Sequence, residues 1–480
     1  MSSATFYWHD YEAFGIDPAR TRPAQFAGMR TDDQFNVIEE PNIYYCCLPL
    51  DSLPNPDACL ITGITPQQTD AKGVCEAEFI KLIHEHLAQP NTCTLGYNNI
   101  RYDDELTRHC LYRNFFDPYA REWQNGNSRW DLLDVVRAVK ALRPDNIKWP
   151  STEEQRPSFK LTDLTHANAI THDNAHDALS DVYATIALAQ LITQQQPKIF
   201  AYLLAHRTKA EALKLLNLGR YEPVIHVSGK YRSDQHCLAI VLPICQHPIN
   251  NNGIVVYDLS VFPEPLLNLS VEEIRRRVFT AVADLPEDSA RVPLKVVHVN
   301  KCPVLAPMNA LRAIDITRLG LNIEQCTKHQ QLLKSTSGLA EKIASVFASV
   351  DELPKYNDPD LMLYSGGFFS AADKNKCAAV RQAKPEQLAK LNPKFEDKRL
   401  AEMLFRYKAR NYPEVLNAGQ AERWQEFCRQ RLTGQIVGAD ITFDQYFKRL
   451  QDLKQAQANQ EIITALEQYG IAKKQALNIS

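Results

Sequence analysis

The chain carries 54 Lys and Arg against 57 Asp and Glu over 480 residues, a formal charge of −3. That length suits two to four domains around large cores, and the charge balance excludes a globally basic nucleic-acid binder. The charge is uneven: residues 371–480 hold 19 Lys and Arg and 13 Asp and Glu, a net of +6, which leaves −9 for the first 370. A basic C-terminal part can attract anions, although ordinary surface lysine on helices gives the same count. Twelve cysteines are scattered without a C-x-x-C pair or a Cys/His spacing suited to zinc, and adjacent Cys46 and Cys47 fit a disulfide framework poorly. They read as small core residues in a reducing cytosol. With no secretory signal pattern and no apolar run of membrane-spanning length, a cytoplasmic protein without membrane contact is expected.

In chain order, residues 6–10 read as a first strand, 36–47 as a second, 76–87 as a helix, 95–98 as a buried strand and 103–115 as a helix. This alternation, running to about residue 195, implies a mixed sheet flanked by helices. Gln194-Gln195-Gln196-Pro197 punctuates its end. Residues 199–216 read as a bridging helix, followed by short β-type runs at 224–227, 237–244, 253–259 and 295–299, enough for a small barrel. Leu353-Pro354-Lys355-Tyr356-Asn357-Asp358-Pro359 marks a second boundary. Beyond it the pattern is helical, clearest at 398–410 and 418–431. No internal repeat or low-complexity tract is present.

Three segments of the first part carry ionisable side chains in a fixed order. They are His9-Asp10-Tyr11-Glu12, Gly96-Tyr97-Asn98-Asn99-Ile100-Arg101-Tyr102-Asp103-Asp104-Glu105, and Asn174-Ala175-His176-Asp177-Ala178-Leu179-Ser180-Asp181. In a strand, residues i and i+2 share a face, so Asp10 and Glu12 project together, about 6–7 Å apart at Cα. His176 and Asp181 could not face one site from a single helix, where they would lie roughly 140° apart. Asp181 therefore belongs in the first turns of a helix and His176 on the loop before it. Asn174 or Asp177 can cap that helix, and Val182, Ile186 and Ala189 form its buried stripe.

Four carboxylates and a histidine so placed suit a two-metal phosphodiesterase. Mg²⁺ takes hard oxygen donors, two ions about 3.5–4 Å apart serve the attacking and leaving oxygens, and an imidazole of pKa ~6.5 can act as general base. Singly, each motif has a plain structural explanation: a solvated strand face, a structural histidine, or acidic residues complementing a helix dipole. Their order and spacing together favour the metal site.

Asp10-x-Glu12, Asp103 and His176-x4-Asp181 match the DEDDh exonuclease pattern. The residues at 9–15, 22–26, 60–66, 96–99, 127–134, 298–303, 364–370 and 406–411 further resemble bacterial exonuclease I, a 3′→5′ single-strand DNA exonuclease. The resemblance runs from the first strand to at least Arg410. It implies a multidomain α/β protein: a ribonuclease H-like exonuclease domain over 1–195, a small SH3-like β-barrel domain with bridging helix over 196–352, and a helical C-terminal domain over 353–480. It also implies Asp10, Glu12, Asp103 and Asp181 as metal ligands, Glu12 and His176 as catalytic residues, and two Mg²⁺ ions with Mn²⁺ as a substitute.

Against the DNA strand the resemblance places Glu12, Phe14 as a wedge on the terminal base, Arg108, Tyr119, Trp123, Arg137, Lys160 and Lys209. Successive bases would stack on the aromatic residues. One departure is Lys160, within Ser158-Phe159-Lys160-Leu161, where the family has arginine. Lysine keeps the charge and loses the bidentate fork. The family also binds the acidic, Phe-ended tail of the single-stranded DNA-binding protein, which would fall to Arg143, Tyr202 and Arg312, with Pro307 standing where a polar residue is expected. A monomer is expected. Two competing readings are a DEDDh ribonuclease acting on small RNA 3′ ends and a catalytically dead DNA-binding scaffold. The long C-terminal continuation argues against the first, and the filled active-site positions argue against the second.

Overall fold

The structure is a computed structural model and describes residues 4–173, 176–287, 289–348 and 357–479. The chain divides into two compact units. The first comprises residues 1–129, 172–186 and 354–480, and the second residues 130–171 and 187–353. Asn174, expected as a helix cap, and most of the boundary expected at 353–359 lie outside the described residues.

The first unit is built on a five-stranded sheet of order β3-β2-β1-β4-β5. Its strands are β1 (Thr5–Ala13), β2 (Pro23–Thr31), β3 (Asn42–Tyr45), β4 (Thr92–Gly96) and β5 (Ser128–Asp131). The central β1 runs antiparallel to β2, with Asp10 opposite Ala27 and Glu12 opposite Gln25, and parallel to β4, with Trp8 opposite Leu95. The strand expected at 36–47 shrinks to Asn42–Tyr45, the four residues that pair with β2. Sequence reading passed over β2. Every one of its residues is buried, so it shows no alternation of apolar and polar side chains. Helix α1 (Glu76–Leu87) has the expected limits and buries Phe79, Ile80, Ile83 and Leu87. Helix α2 (Asp103–Arg113) follows β4, and α3 (Ala178–Gln195) carries Asp181 in its first turn.

The C-terminal helices α4 (Lys398–Asn411), α5 (Ala418–Leu432), α6 (Phe443–Gln455) and α7 (Gln460–Ala476) belong to this same unit. They share a core with the N-terminal sheet: Phe14, Ala24, Leu53 and Cys59 lie in one buried cluster with Phe405, Trp424, Tyr446 and Leu466. Buried charges reinforce it. Arg410 donates to the Asp51 carboxylate from Nε (3.0 Å) and Nη2 (2.8 Å) and from Nη2 to Asp360 (2.5 Å), while Arg406 donates to Asp360 (3.0 Å). Arg22 and Arg431 complete the surround of Asp51 at 3.5 and 3.7 Å. Lys473 on α7 donates to the Pro49 carbonyl (2.8 Å).

The second unit holds a five-stranded sheet of order β10-β6-β7-β8-β9, each neighbouring pair antiparallel. Its strands are β6 (Val224–Val227), β7 (Leu238–Gln246), β8 (Gly253–Asp258), β9 (Leu294–His298) and β10 (Val304–Pro307). The first four sit where the sequence places them. Short β10, ending in proline, adds an edge that was not foreseen. The bridging helix expected over 199–216 is two helices, Pro197–Ala205 and Lys209–Leu215. The break comes at Thr208, whose side chain caps the second by accepting from Glu211 N at 3.4 Å. All twelve cysteines are free thiols, mostly buried. Among the described residues no helix is long and apolar enough to cross a membrane.

Candidate active site

The three segments that carry the expected carboxylates and histidine meet at one end of β1, all within the first unit. Strand alternation puts His9 and Tyr11 on one face and Asp10 and Glu12 on the other. After β4 the chain turns at Gly96, where a β-carbon would stand 2.5 Å from the His9 carbonyl, so only glycine fits beside β1. Asn98 follows with φ 64°. That turn delivers Asp103 to the first turn of α2, where the helix dipole favours a carboxylate. Asp103 Oδ1 accepts from Tyr11 N at 3.2 Å, tying α2 to the backbone between Asp10 and Glu12.

On the third segment, Asp177 caps α3 by accepting from Ser180 N at 3.1 Å, and Asp181 is the fourth helical residue. Val182, Ile186 and Ala189 are its buried stripe, as expected. His176 precedes the helix, exposed, with φ 67°. The donor atoms of Glu12, His176 and Asp181 all lie within 4.8 Å of one another. Sequence reading missed His172, whose Nε2 stands 2.5 Å from Asp181 Oδ1. Its one legible signal was a second histidine four residues before His176.

The electrostatics are those of a nest of like charges. Burial pushes the Asp10 carboxyl well above the usual carboxylate range, and the charges of Asp103, Glu12, Asp181 and Asp177 push it further. Glu12 is raised to about 8, by burial first and then by Asp181, Asp103 and Asp177. Burial also raises Asp181, opposed by its hydrogen bond to His172. Asp177 is thus a fifth carboxylate in the nest, which the sequence offered only as a cap. Clustered, partly buried carboxylates that raise one another's pKa fit hard divalent cations.

Family models match the chain in three successive stretches: an exonuclease model over residues 7–189, an exonuclease I SH3-like domain over 207–349 and an exonuclease I C-terminal domain over 357–473. The chain belongs to the exonuclease I family. Exodeoxyribonuclease I of Escherichia coli K12 is 46% identical over 470 residues, 97% of each chain. E. coli exonuclease I in complex with a dA16 oligonucleotide superposes with a TM-score of 0.94 at 45% identity, covering 98% of this chain and 100% of that one. A zinc-bound E. coli exonuclease I–single-stranded DNA complex gives 0.93 at 45% identity, and a complex of SSB with exonuclease I and the inhibitor CFAM gives 0.89 at 43%. Both cover 98% of this chain and 100% of theirs.

The residues that resemblance to exonuclease I set against a strand divide by environment. In the first unit Trp123 is 66% exposed and Tyr119 half-buried, with Phe368 edge-on to the Tyr119 ring at 6.1 Å. Phe368 (86% exposed) and Tyr364 extend this aromatic surface, an exposure that no local pattern marks. Phe14, expected as a wedge, is instead a core residue, 1% exposed and packed in the cluster with Phe405 and Trp424. Arg108 is buried and engaged by Glu122 and Glu105. In the second unit Arg137 pairs with Asp134 at 2.7 Å and lies 5.7 Å from the Phe159 ring centre. Lys160 is exposed at the start of a short helix, and Lys209 Nζ donates to Asn252 at 2.7 Å.

Arg143, Tyr202 and Arg312, expected to meet a partner, also lie in the second unit. Fully buried Asp315 gathers Arg312 (2.8 Å), Arg143 (3.2 Å) and Arg318 (3.3 Å). Tyr202 donates to the Leu305 carbonyl at 3.3 Å and stacks on His206. Three guanidinium groups against Asp315 and Asp145, the latter 3.4 Å from Arg312, leave the patch net positive.

Proposed function

We propose that the chain is a divalent-metal-dependent exodeoxyribonuclease that digests single-stranded DNA from its 3′ end to 5′-mononucleotides in repair and recombination. The observation that carries this reading is the convergence of Asp10, Glu12, Asp103 and Asp181 with His176, in a chain that aligns end to end with exodeoxyribonuclease I. Asp10, Glu12, Asp103 and Asp181 would hold two Mg²⁺ ions, or Mn²⁺ in their place. Such ions polarise the phosphate and stabilise charge on the attacking and leaving oxygens. His176, exposed and beside Glu12, takes the proton from the attacking water. Trp123 and Tyr119 carry bases by stacking, while Arg137, Lys160 and Lys209 offer cationic contacts to phosphates. The exonuclease, SH3-like and helical domains are divided near residues 195 and 352, and the protein works as a monomer in the cytoplasm.

Digestion of 5′-labelled single-stranded DNA with Mg²⁺, alongside matched duplex, RNA and an EDTA control, tests this. Loss of the single strand from its 3′ end, with duplex and RNA spared, is expected. Faster loss of RNA would favour the ribonuclease reading, and binding without digestion the scaffold.

The arginine cluster around Asp315 suits the acidic tail of the single-stranded DNA-binding protein. A charged hydrogen bond contributes about 1.5–3 kcal/mol, so Arg312→Ala should weaken a tail peptide by roughly ten- to a hundred-fold while naked-strand digestion is kept. Equal peptide affinity of the variant and parent in a titration would refute the assignment.

A further inference from the structure

Arg108 stands on α2, five residues past Asp103, and invites assignment as a phosphate contact. The geometry points elsewhere: we infer that Arg108 is a positioning residue that sets the Tyr119 and Tyr364 rings as one stacking platform and makes no contact with phosphate. The inference rests on the reading of Tyr119 and Trp123 as base-stacking residues.

A guanidinium has five N–H donors, and four hydrogen bonds already run from this one. Nε donates to Glu122 Oε1 (2.7 Å) and Nη2 to Glu122 Oε2 (2.8 Å), a bidentate pair. Nη1 donates to Glu105 Oε1 (2.8 Å) and to the Tyr364 hydroxyl (3.1 Å). The residue is 5% exposed, and its charge is met by two carboxylates. With one N–H left over and the side chain 5% exposed, little of the group is open to a phosphate.

The same group touches two rings of the aromatic surface, Tyr119 and Tyr364. Its central carbon lies 5.3 Å from the Tyr119 ring centre, a cation–π distance. The Tyr364 hydroxyl, which accepts from Nη1, also donates to Glu105. Behind the platform Glu122 pairs with Arg129 (3.3 Å). Arg129 and Arg121 together clamp buried Asp104 at 2.9 and 2.7 Å, next to the metal ligand Asp103. The platform and the first turn of α2 are therefore fixed by one buried ion lattice.

The test measures strand affinity by fluorescence anisotropy in EDTA, so that nothing is cut. It uses a normal oligonucleotide and an abasic one with the same number of phosphates, at several salt concentrations. Arg108→Ala should weaken the normal strand about ten-fold, leave the abasic strand unchanged, and keep the slope of log affinity against log salt. Glu122→Gln, which frees the guanidinium, should weaken the normal strand in the same way. If Arg108→Ala instead weakens both strands equally and lowers the slope by about 0.7, the value for one single-strand phosphate contact, the inference is overturned. Tighter binding by Glu122→Gln would overturn it too. Should Arg108→Ala not fold, Arg108→Lys serves, because an ammonium keeps a charge for phosphate and cannot hold both carboxylates. Tyr119→Ala separates the two levels: normal-strand affinity unchanged in that variant would sink the platform reading itself, whatever Arg108 does.

Discussion

Asp10→Asn is expected to remove hydrolysis and, at the same time, to raise the melting temperature of the metal-free protein. The catalytic loss follows from the metal. A ligand that helps supply about 4 kcal/mol of charge stabilisation costs roughly a thousand-fold in rate when lost. The stability gain follows from the carboxylate nest. The Asp10 carboxyl is pushed up by burial and by Asp103, Glu12 and Asp181, so folding without a cation forces like charges together. Glu12 gives the pH window. Its folded pKa is about 8 against an ordinary 4.5, so the folded state binds more protons between those values. Glu12's contribution to metal-free stability is therefore fully present below pH 4.5 and is lost as pH rises through 8. Asp10→Asn should flatten that decline and add roughly 2–5 °C at pH 8.5 in EDTA. Calorimetry from pH 5 to 9, with and without Mg²⁺, checks this. A variant that melts lower than the parent in EDTA, or that keeps a tenth of the parent rate, would contradict the assignment.

The second large effect lies far from the chemistry. Arg410→Ala removes the guanidinium that bridges Asp51 and Asp360, both essentially buried, and strands two carboxylates in the core. Breaking a buried pair in this way costs about 3–5 kcal/mol. Burial would raise the Asp51 carboxyl, and the cations of Arg410, Arg22 and Arg431 overcome it, holding the group well below the usual carboxylate range. The variant should unfold at markedly lower urea, and acid should widen the gap less than neutral pH because the stranded carboxylates can then take protons. A denaturation midpoint within error of the parent would mean that Arg22, Arg406 and Arg431 suffice.

How much of this was legible in the chain depends on the range of the interactions. The Asp10–Glu12 face, the loop position of His176 and the limits of α1 follow from local periodicity and capping, so they read directly. Strand β2 did not, because burial on both faces erases the alternation that marks a strand. The break at Thr208 was hidden by an apolar pattern continuing across a good capping residue. The burial of Phe14 and Arg108 did not read for another reason. Phe405 and Trp424 cover Phe14, and Tyr364 helps Glu105 and Glu122 enclose Arg108, contacts from hundreds of residues away that no local pattern encodes. The exposure of Phe368 was equally invisible, since an aromatic residue beside Phe369 in a glycine-containing turn has the composition of a core.

The shared core of Phe14 with α4 and α5 has a consequence for synthesis. The β1 segment bearing Asp10 and Glu12 is made first, yet the cluster around Phe14 is not closed until α7 has left the ribosome, roughly 290 residues after Ile186. At ~5–20 residues per second that interval is about 15–60 s. The nascent chain thus carries Asp10 and Glu12 through most of this interval without the framework that packs behind them, and the cluster closes only once α7 has emerged.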